Sequence, residues 1–424
     1  MLHLLLGRTG TGKTQEIYRL ISEYAREGEK GMILIVPEQF SFASERAVLH
    51  TLGAKDASRV EILSFTRLAD AVFREYGGMS GKKVSDAGRA VLMSLALEGV
   101  QEKLELYRRH ALRTDMIASL LHTADEFKMS CISPDMLSEV SDGIEDGTLK
   151  KKTGERALIL SAYDTLVAQS YYDERDILTR LYEILLEHRF FEGRVVFIDA
   201  FKGYTPQEMR ILSRIFSDAR EVYLTLGTDS LTDKEDGIGV FSPLKKAGNR
   251  LLQLAKKYAV KVASPVIFSK QRRFQNDALA VLESGLFDPL AQPYEEKENA
   301  VTLCAAQNVY EECDYIASAI KKLLRTENMR CKDIAVIARN AEDYRPILTA
   351  AFEKYEIPFF NDNRQPVDTQ PLMTFIRYVF ELLNGGTTDT IFHYLKTGLT
   401  GLSVEEISLL ENYTFTWDIT ARQW

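Results

Sequence analysis

LHLLLGRTGTGKT, residues 2–14, sets a short apolar run against a glycine-rich turn that ends in Lys13 and Thr14. Residues 2–6 read as a buried parallel strand. Beyond the turn, Ile17, Leu20, Ile21 and Tyr24 recur at helical spacing, and the helix stops near Gly28. The order strand, GxxxxGKT, helix is the context a phosphate-binding loop requires. Gly7 and Gly12 let backbone amides turn toward phosphates, Lys13 offers a point charge to the β and γ phosphates, and Thr14 offers a hydroxyl to Mg2+. Gly7, Arg8, Thr9, Gly10, Thr11, Gly12, Lys13 and Thr14 are therefore the candidate nucleotide-binding residues, with ATP and Mg2+ as the expected ligands. A helix start that happens to be rich in glycine leaves Lys13 and Thr14 together unexplained.

Working outward, residues 32–36 and 60–63 are further short apolar strands, each followed by a helical pattern, at 42–52 and 65–76. This alternation implies a parallel sheet. From 84 to about 189 strand signals give way to successive amphipathic helices. They return at 195–198 and 222–226, so the sheet is interrupted by a helical insertion and then resumed. A Pro- and Glu-rich segment at 289–299 precedes a second αβ pattern, with strands expected at 301–304, 334–338 and 357–360 and helices at 310–324 and 344–354.

A phosphate-binding loop needs a second carboxylate at the end of another buried strand to hold the metal. Asp199, closing VVFID, is the candidate. A motor that hydrolyses ATP rapidly carries a glutamate next, to orient the attacking water. Here the next residue is Ala200, which has no group to accept a proton.

The chain has 424 residues, 45% of them hydrophobic, which calls for two or three domains. A net charge of −8 argues against a broad basic face for duplex nucleic acid, though not against a local channel. Cys131, Cys304, Cys313 and Cys331 form neither a disulfide framework nor a zinc pattern, and a reducing cytoplasm is the expected setting. No signal sequence is legible, and no stretch reaches the roughly 20 apolar residues of a membrane span.

DAFKGYTPQE (199–208) resembles the extended Walker B segment of UvrD-like superfamily 1 helicases; Phe201 and Pro206 match, while Ala200, Lys202 and Glu208 depart. IAVIARNAEDY (334–344) resembles that family's motif IV. The resemblance puts Arg339 where an arginine reaches the γ-phosphate and Ala338 where a stacking tyrosine stands. VPEQFSFASE (36–45), ILSFTRLA (62–69) and YLKTGLTGLSVEEISLLENY (394–413) narrow the resemblance to the AddB subunits of bacterial AddAB (RexAB) helicase-nucleases, over essentially the whole chain.

The resemblance implies an α/β, RecA-like P-loop NTPase domain at 1–76 plus 190–290, an all-helical insertion at 77–189, and part of a second RecA-like domain at 300–424. It implies an AddA-type helicase-nuclease subunit as heterodimeric partner and DNA as substrate, single-stranded at the motor cleft. Phe40, Phe65 and Arg67 fall where this fold presents its strand-binding segments. An iron-sulfur cluster is expected only in the family's C-terminal nuclease domain, beyond Trp424. The basic pair Arg272 and Arg273, like Lys82–Lys83 and Lys245–Lys246, reads as solvated surface. The departures at Ala200 and Ala338 point to a weak or inactive motor with a scaffolding or sequence-recognition role. An active helicase using Glu208, a P-loop small-molecule kinase, and an interaction module with a vestigial loop stand as alternatives.

Overall fold

Continuous apolar runs short enough to be strands bury both faces only when helices cover the sheet from above and below, and the first half of the chain is built that way. The computed structural model describes residues 1–78, 81–108, 113–232, 239–288, 290–295, 300–361, 367–420 and 423–424. They form two units, Met1–Val301 and Thr302–Trp424.

In the first unit, β1 (Leu2–Gly7) leads into α1 (Lys13–Arg26), followed by β2 (Met32–Ile35), α2 (Ser41–Ala57), β3 (Val60–Leu63) and α3 (Phe65–Tyr76). The chain then passes through β4 (Lys82–Lys83), α4 (Asp86–Val100), α5 (Thr114–Met129), α6 (Pro134–Asp142), α7 (Gly147–Ser170) and β5 (Tyr171–Tyr172). It returns through α8 (Ile177–Glu187), β6 (Val195–Ile198), α9 (Pro206–Asp218), β7 (Glu221–Leu226), α10 (Ser242–Lys257), β8 (Val266–Phe268) and α11 (Asp277–Gly285).

The main sheet has six parallel strands in the order β3-β2-β6-β7-β1-β8. Side-chain alternation divides β1 between two cores. Leu4 and Leu6 pack with Leu68, Leu181, Ile211 and Leu251 of α3, α8, α9 and α10, while Leu5 packs with Ile17, Ile21 and Val48 of α1 and α2. Ile17 and Ile21 are fully buried, and each contributes about 2 kcal/mol by leaving water.

The helices of the insertion, α4 to α7, enclose a separate core around Met93, Leu97, Leu120, Ile159 and Tyr163. Two features depart from the sequence reading of 77–189. The insertion is not all helix, because β4 and β5 pair in parallel, Lys82 opposite Tyr171 and Lys83 opposite Tyr172. Helix α8, grouped there with the insertion, packs through Ile177, Leu181 and Leu185 into the core of the main sheet. Where the insertion returns, Asp173, fully buried, meets Arg89 Nε at 3.2 Å and Lys128 Nζ at 3.3 Å, and Lys128 also meets Asp176 at 2.8 Å.

The second unit contains α12 (Val309–Thr326), α13 (Ala341–Lys354), α14 (Pro371–Leu383), α15 (Thr388–Leu395) and α16 (Val404–Thr416). Helices α12 and α13 pack through Cys313, Ala317, Ile320, Ala351 and Phe352. The strands expected at 301–304, 334–338 and 357–360 are corrected here: no ladder forms at any of them among the described residues. A parallel strand exists only beside a neighbour that takes up its amides and carbonyls. These segments lack one, and Leu303, Ile337 and Phe360 are 97%, 91% and 88% exposed. A cleft of about 600 Å³, lined by Ile334, Val336, Leu348, Phe352, Ile357 and Phe360, lies along the second and third of them. Among the described residues this unit is thus helical, without a sheet.

Candidate nucleotide site

Backbone sterics shape the loop between β1 and α1. A Cβ on Gly7 would come within 2.5 Å of Thr11 Oγ1 and 2.8 Å of the Phe268 carbonyl oxygen, so only glycine fits. Gly12, the residue before α1, has φ 97°, a left-handed conformation open to glycine at little cost. No side chain caps α1 at this residue, in contrast to α3 and α9, which Ser64 and Thr205 cap. The amides of the first turn of α1 and the positive end of its dipole thus face the loop, an arrangement that favours an anion.

Lys13 lies across this loop, its Nζ donating to the carbonyl oxygens of Gly7 at 2.6 Å and Arg8 at 2.9 Å. Burial lowers its pKa below the ordinary lysine value, Asp199 opposes that shift, and Arg273 reinforces it. Thr11 Oγ1 donates to the Arg8 carbonyl at 2.8 Å. The Arg8 side chain is held from outside the loop, with Nε 3.1 Å from Asp229 Oδ2 and the guanidinium over the Phe241 ring.

Asp199 directly follows β6 and is 4% exposed. Its amide donates to the Ile35 carbonyl at 3.0 Å, and its Oδ1 accepts from Thr225 Oγ1 at 2.5 Å. Thr225 belongs to β7, the one strand between β6 and β1. Sequence reasoning singles out Lys13 and Asp199, and the negative charge of Asp199 counters the effect of burial on the lysine. Among the described residues Asp199 forms no ion pair, and a buried carboxylate of this kind is the oxygen ligand that a hard cation takes.

Ala200 takes φ 67°, left-handed for a residue with a Cβ. Nearby, Glu208 Oε2 accepts from the Thr205 amide at 2.7 Å and the Thr205 hydroxyl at 3.1 Å, closing a capping box on α9. Burial raises the Glu208 pKa, and the two Thr205 donors oppose the rise. The Tyr204 hydroxyl is buried without a hydrogen-bond partner, and burial, then Glu208 and Asp199, push its pKa upward.

Two arginines that sequence reasoning leaves on the surface flank this loop. The Arg272 amide donates to the Gly10 carbonyl at 3.0 Å, and Gln271 Nε2 donates to the Thr9 carbonyl at 3.0 Å. Gln271 Oε1 in turn accepts from the amides of Arg272 and Arg273 at 3.1 and 3.2 Å. The segment is delivered by β8, whose Leu5–Val266 to Gly7–Phe268 register sets it beside the loop between β1 and α1. The signal in the sequence is VIF at 266–268, too short to be read as a strand. Arg339 lies in the second unit, exposed between Ala338 and Ala341 of the cleft lining.

The proposed nucleic-acid residues differ in setting. Phe40 is 42% exposed and Phe42, beside it, 71%. Arg67 is exposed and paired with Glu45 at 2.7 Å. Phe65 is 5% exposed, its ring 5.4 Å from that of Phe201, and belongs to the core of the main sheet.

A family model described as ADDB, N-terminal, matches residues 4–283. A protein of Thermoanaerobacter sp. (strain X514), named as the B subunit of an ATP-dependent helicase/deoxyribonuclease, is 33% identical over 428 residues, covering 100% of this chain and 37% of the relative. Proteins of the same name from Clostridium botulinum (strain Loch Maree / Type A3) and Clostridium kluyveri (strain NBRC 12016) are 33% and 34% identical, again over 100% of this chain and 38% and 37% of theirs. The chain thus spans little more than a third of the length of these relatives.

Proposed function

This chain belongs to the AddB N-terminal family, and on that premise we propose that it is the nucleotide-binding region of the B subunit of an ATP-dependent helicase/deoxyribonuclease, acting on DNA breaks beside an A-type helicase-nuclease partner in the cytoplasm. The observation that carries the reading is the uncapped α1 terminus with Lys13 across it and the buried Asp199 electrostatically coupled to that lysine. In this reading the loop amides and Lys13 take the β and γ phosphates of ATP. Thr14 and Asp199 hold Mg2+, which neutralises charge on the phosphate oxygens when bound. Arg272 and Arg273 add positive charge from the segment that overlies the loop. The role expected of Arg339 rests on the family resemblance alone.

Hydrolysis by this site is slow or absent. The position after Asp199 carries a methyl group, and the nearby carboxylate, Glu208, is committed to its own helix cap. That supports a nucleotide-bound scaffold in preference to a driving motor, and Phe40 and Arg67 are then the residues placed to meet single-stranded DNA. The test is ATP binding and turnover by the full chain, with and without single-stranded DNA. Tight binding lost in Lys13→Ala with little turnover supports the proposal; strong DNA-stimulated turnover that Lys13→Ala abolishes refutes the scaffold reading.

A further inference from the structure

Thr225 stands on the strand that separates Asp199 from the P-loop, 3% exposed, with Leu5 of β1 as its register partner. Its hydroxyl makes two bonds. It donates to Asp199 Oδ1 at 2.5 Å and accepts from the Ala200 amide at 3.4 Å. One side-chain oxygen therefore fixes both the rotamer of the carboxylate and the left-handed backbone turn that follows it. Four residues further along, Asp229 accepts from Arg8 of the P-loop. The β7 segment is thus tied to the acid by one side chain and to the phosphate loop by another.

We propose that Thr225 is a positioning residue for the metal-facing carboxylate: by occupying Asp199 Oδ1 and restraining Ala200, it leaves Oδ2 to serve the cation that accompanies a nucleotide. The proposal deepens the nucleotide-site reading above and rests on it. A buried carboxylate with no ion pair among the described residues has freedom to turn about its own bonds, and a charge-assisted hydrogen bond is the strongest restraint available to it here. A valine keeps the shape of Thr225 and removes both the donor and the acceptor. A serine keeps them.

The experiment measures ATP affinity of the full chain by titration calorimetry, once in excess Mg2+ and once in EDTA, and takes the ratio. Thr225→Val is expected to shrink that ratio about tenfold with little change in EDTA, Thr225→Ser to restore it, and Thr225→Val to add nothing in an Asp199→Asn background. A ratio unchanged in Thr225→Val, or an equal loss with and without Mg2+, overturns the proposal. Thr225→Cys, which also lacks the hydroxyl, replaces the valine variant if that one does not fold. Absence of ATP binding by the unmutated chain in both conditions refutes the nucleotide-site reading itself, and this proposal with it.

Discussion

Lys13 Nζ donates to the carbonyl oxygen of Gly7 at 2.6 Å, closing the loop that β1 delivers to α1. In the proposed nucleotide site a phosphate would compete with these carbonyls for the ammonium. Lys13→Ala is expected to weaken ATP binding about a hundredfold, as loss of charge-assisted hydrogen bonds implies. The thermal unfolding midpoint should stay nearly unchanged, since the side chain supports the loop and not the core. Burial holds its pKa below the usual 10.5, so ATP affinity should begin to fall at a lower pH than an ordinary lysine would allow. Calorimetric titration of ATP across alkaline pH reads both effects, and a flat profile would show that the ammonium is not what binds.

Arg272→Ala and Arg273→Ala should each reduce ATP affinity by about three- to tenfold, the range expected for a partly solvated charge beside phosphate. Both hold their place through backbone amides, so removing the side chains leaves the segment anchored. Gln271→Ala, by contrast, removes the bond to the Thr9 carbonyl and the acceptor for both arginine amides, leaving only the Arg272–Gly10 bond, and should loosen the loop, measured as faster amide exchange at residues 8–12.

Glu208→Gln tests whether the capping-box glutamate has a second duty. Its carboxylate satisfies the Thr205 amide and hydroxyl, so the variant should cost about 0.5–1 kcal/mol of stability and leave any ATP turnover unchanged. A steep loss of turnover at unchanged stability would make Glu208 the missing base and return the site to the class of active motors.

Phe40 and Phe65 separate under truncation. Phe40→Ala should weaken binding of an oligo-dT single strand by about 1–3 kcal/mol with little effect on folding, as loss of a stacking surface does. Phe65→Ala should instead cost about 3–5 kcal/mol of stability, since a ring packed in the core against Phe201 leaves a cavity. Chemical denaturation and fluorescence anisotropy distinguish the two.

Asp173 should make the insertion sensitive to acid. Burial alone would raise its pKa, but Lys128, the Arg175 amide and Arg89 outweigh burial and bring it below the ordinary aspartate value. A carboxylate whose pKa falls on folding contributes stability that is complete above its unfolded value, about 3.9, and is lost as pH falls through the folded value. Asp173→Asn should therefore be destabilised by about 3 kcal/mol at pH 7, leaving Arg89 and Lys128 short of a partner, and should show a shallower loss of stability below pH 4. Urea denaturation at pH 7 and pH 3 measures the difference; equal slopes would mean the cluster does not set the acid response.

Five strands of the main sheet are legible in the sequence: burial of both faces writes β1, β2, β6 and β7 as largely apolar runs, and the edge strand β3 (VEIL) follows from its place in the strand-helix alternation. Strand β8 is not, since three residues carry too little pattern, and with it goes the meaning of Arg272 and Arg273. Their role comes from which strand lies beside β1, a tertiary fact that no local charge pattern encodes. The segments at 301–304, 334–338 and 357–360 fail in the opposite direction. Their composition is that of strands, but a ladder also needs a neighbour. Helix α8 is recognisable as a helix yet belongs to a different body from the one its place in the chain suggests, because periodicity reports a buried face without naming the core that buries it. Phe65 is ambiguous for the same reason: an aromatic at a helix start looks alike whether it faces solvent or Phe201.

The pairing of Lys82–Lys83 with Tyr171–Tyr172 brings the exit and the return of the helical insertion side by side, about 5 Å apart as neighbouring strands are. The insertion encloses its own core, so its packing does not depend on the strands it interrupts. It is therefore a cassette: a segment whose two ends meet at its base, parallel to one another, can change in length within that base without reordering a strand of the main sheet.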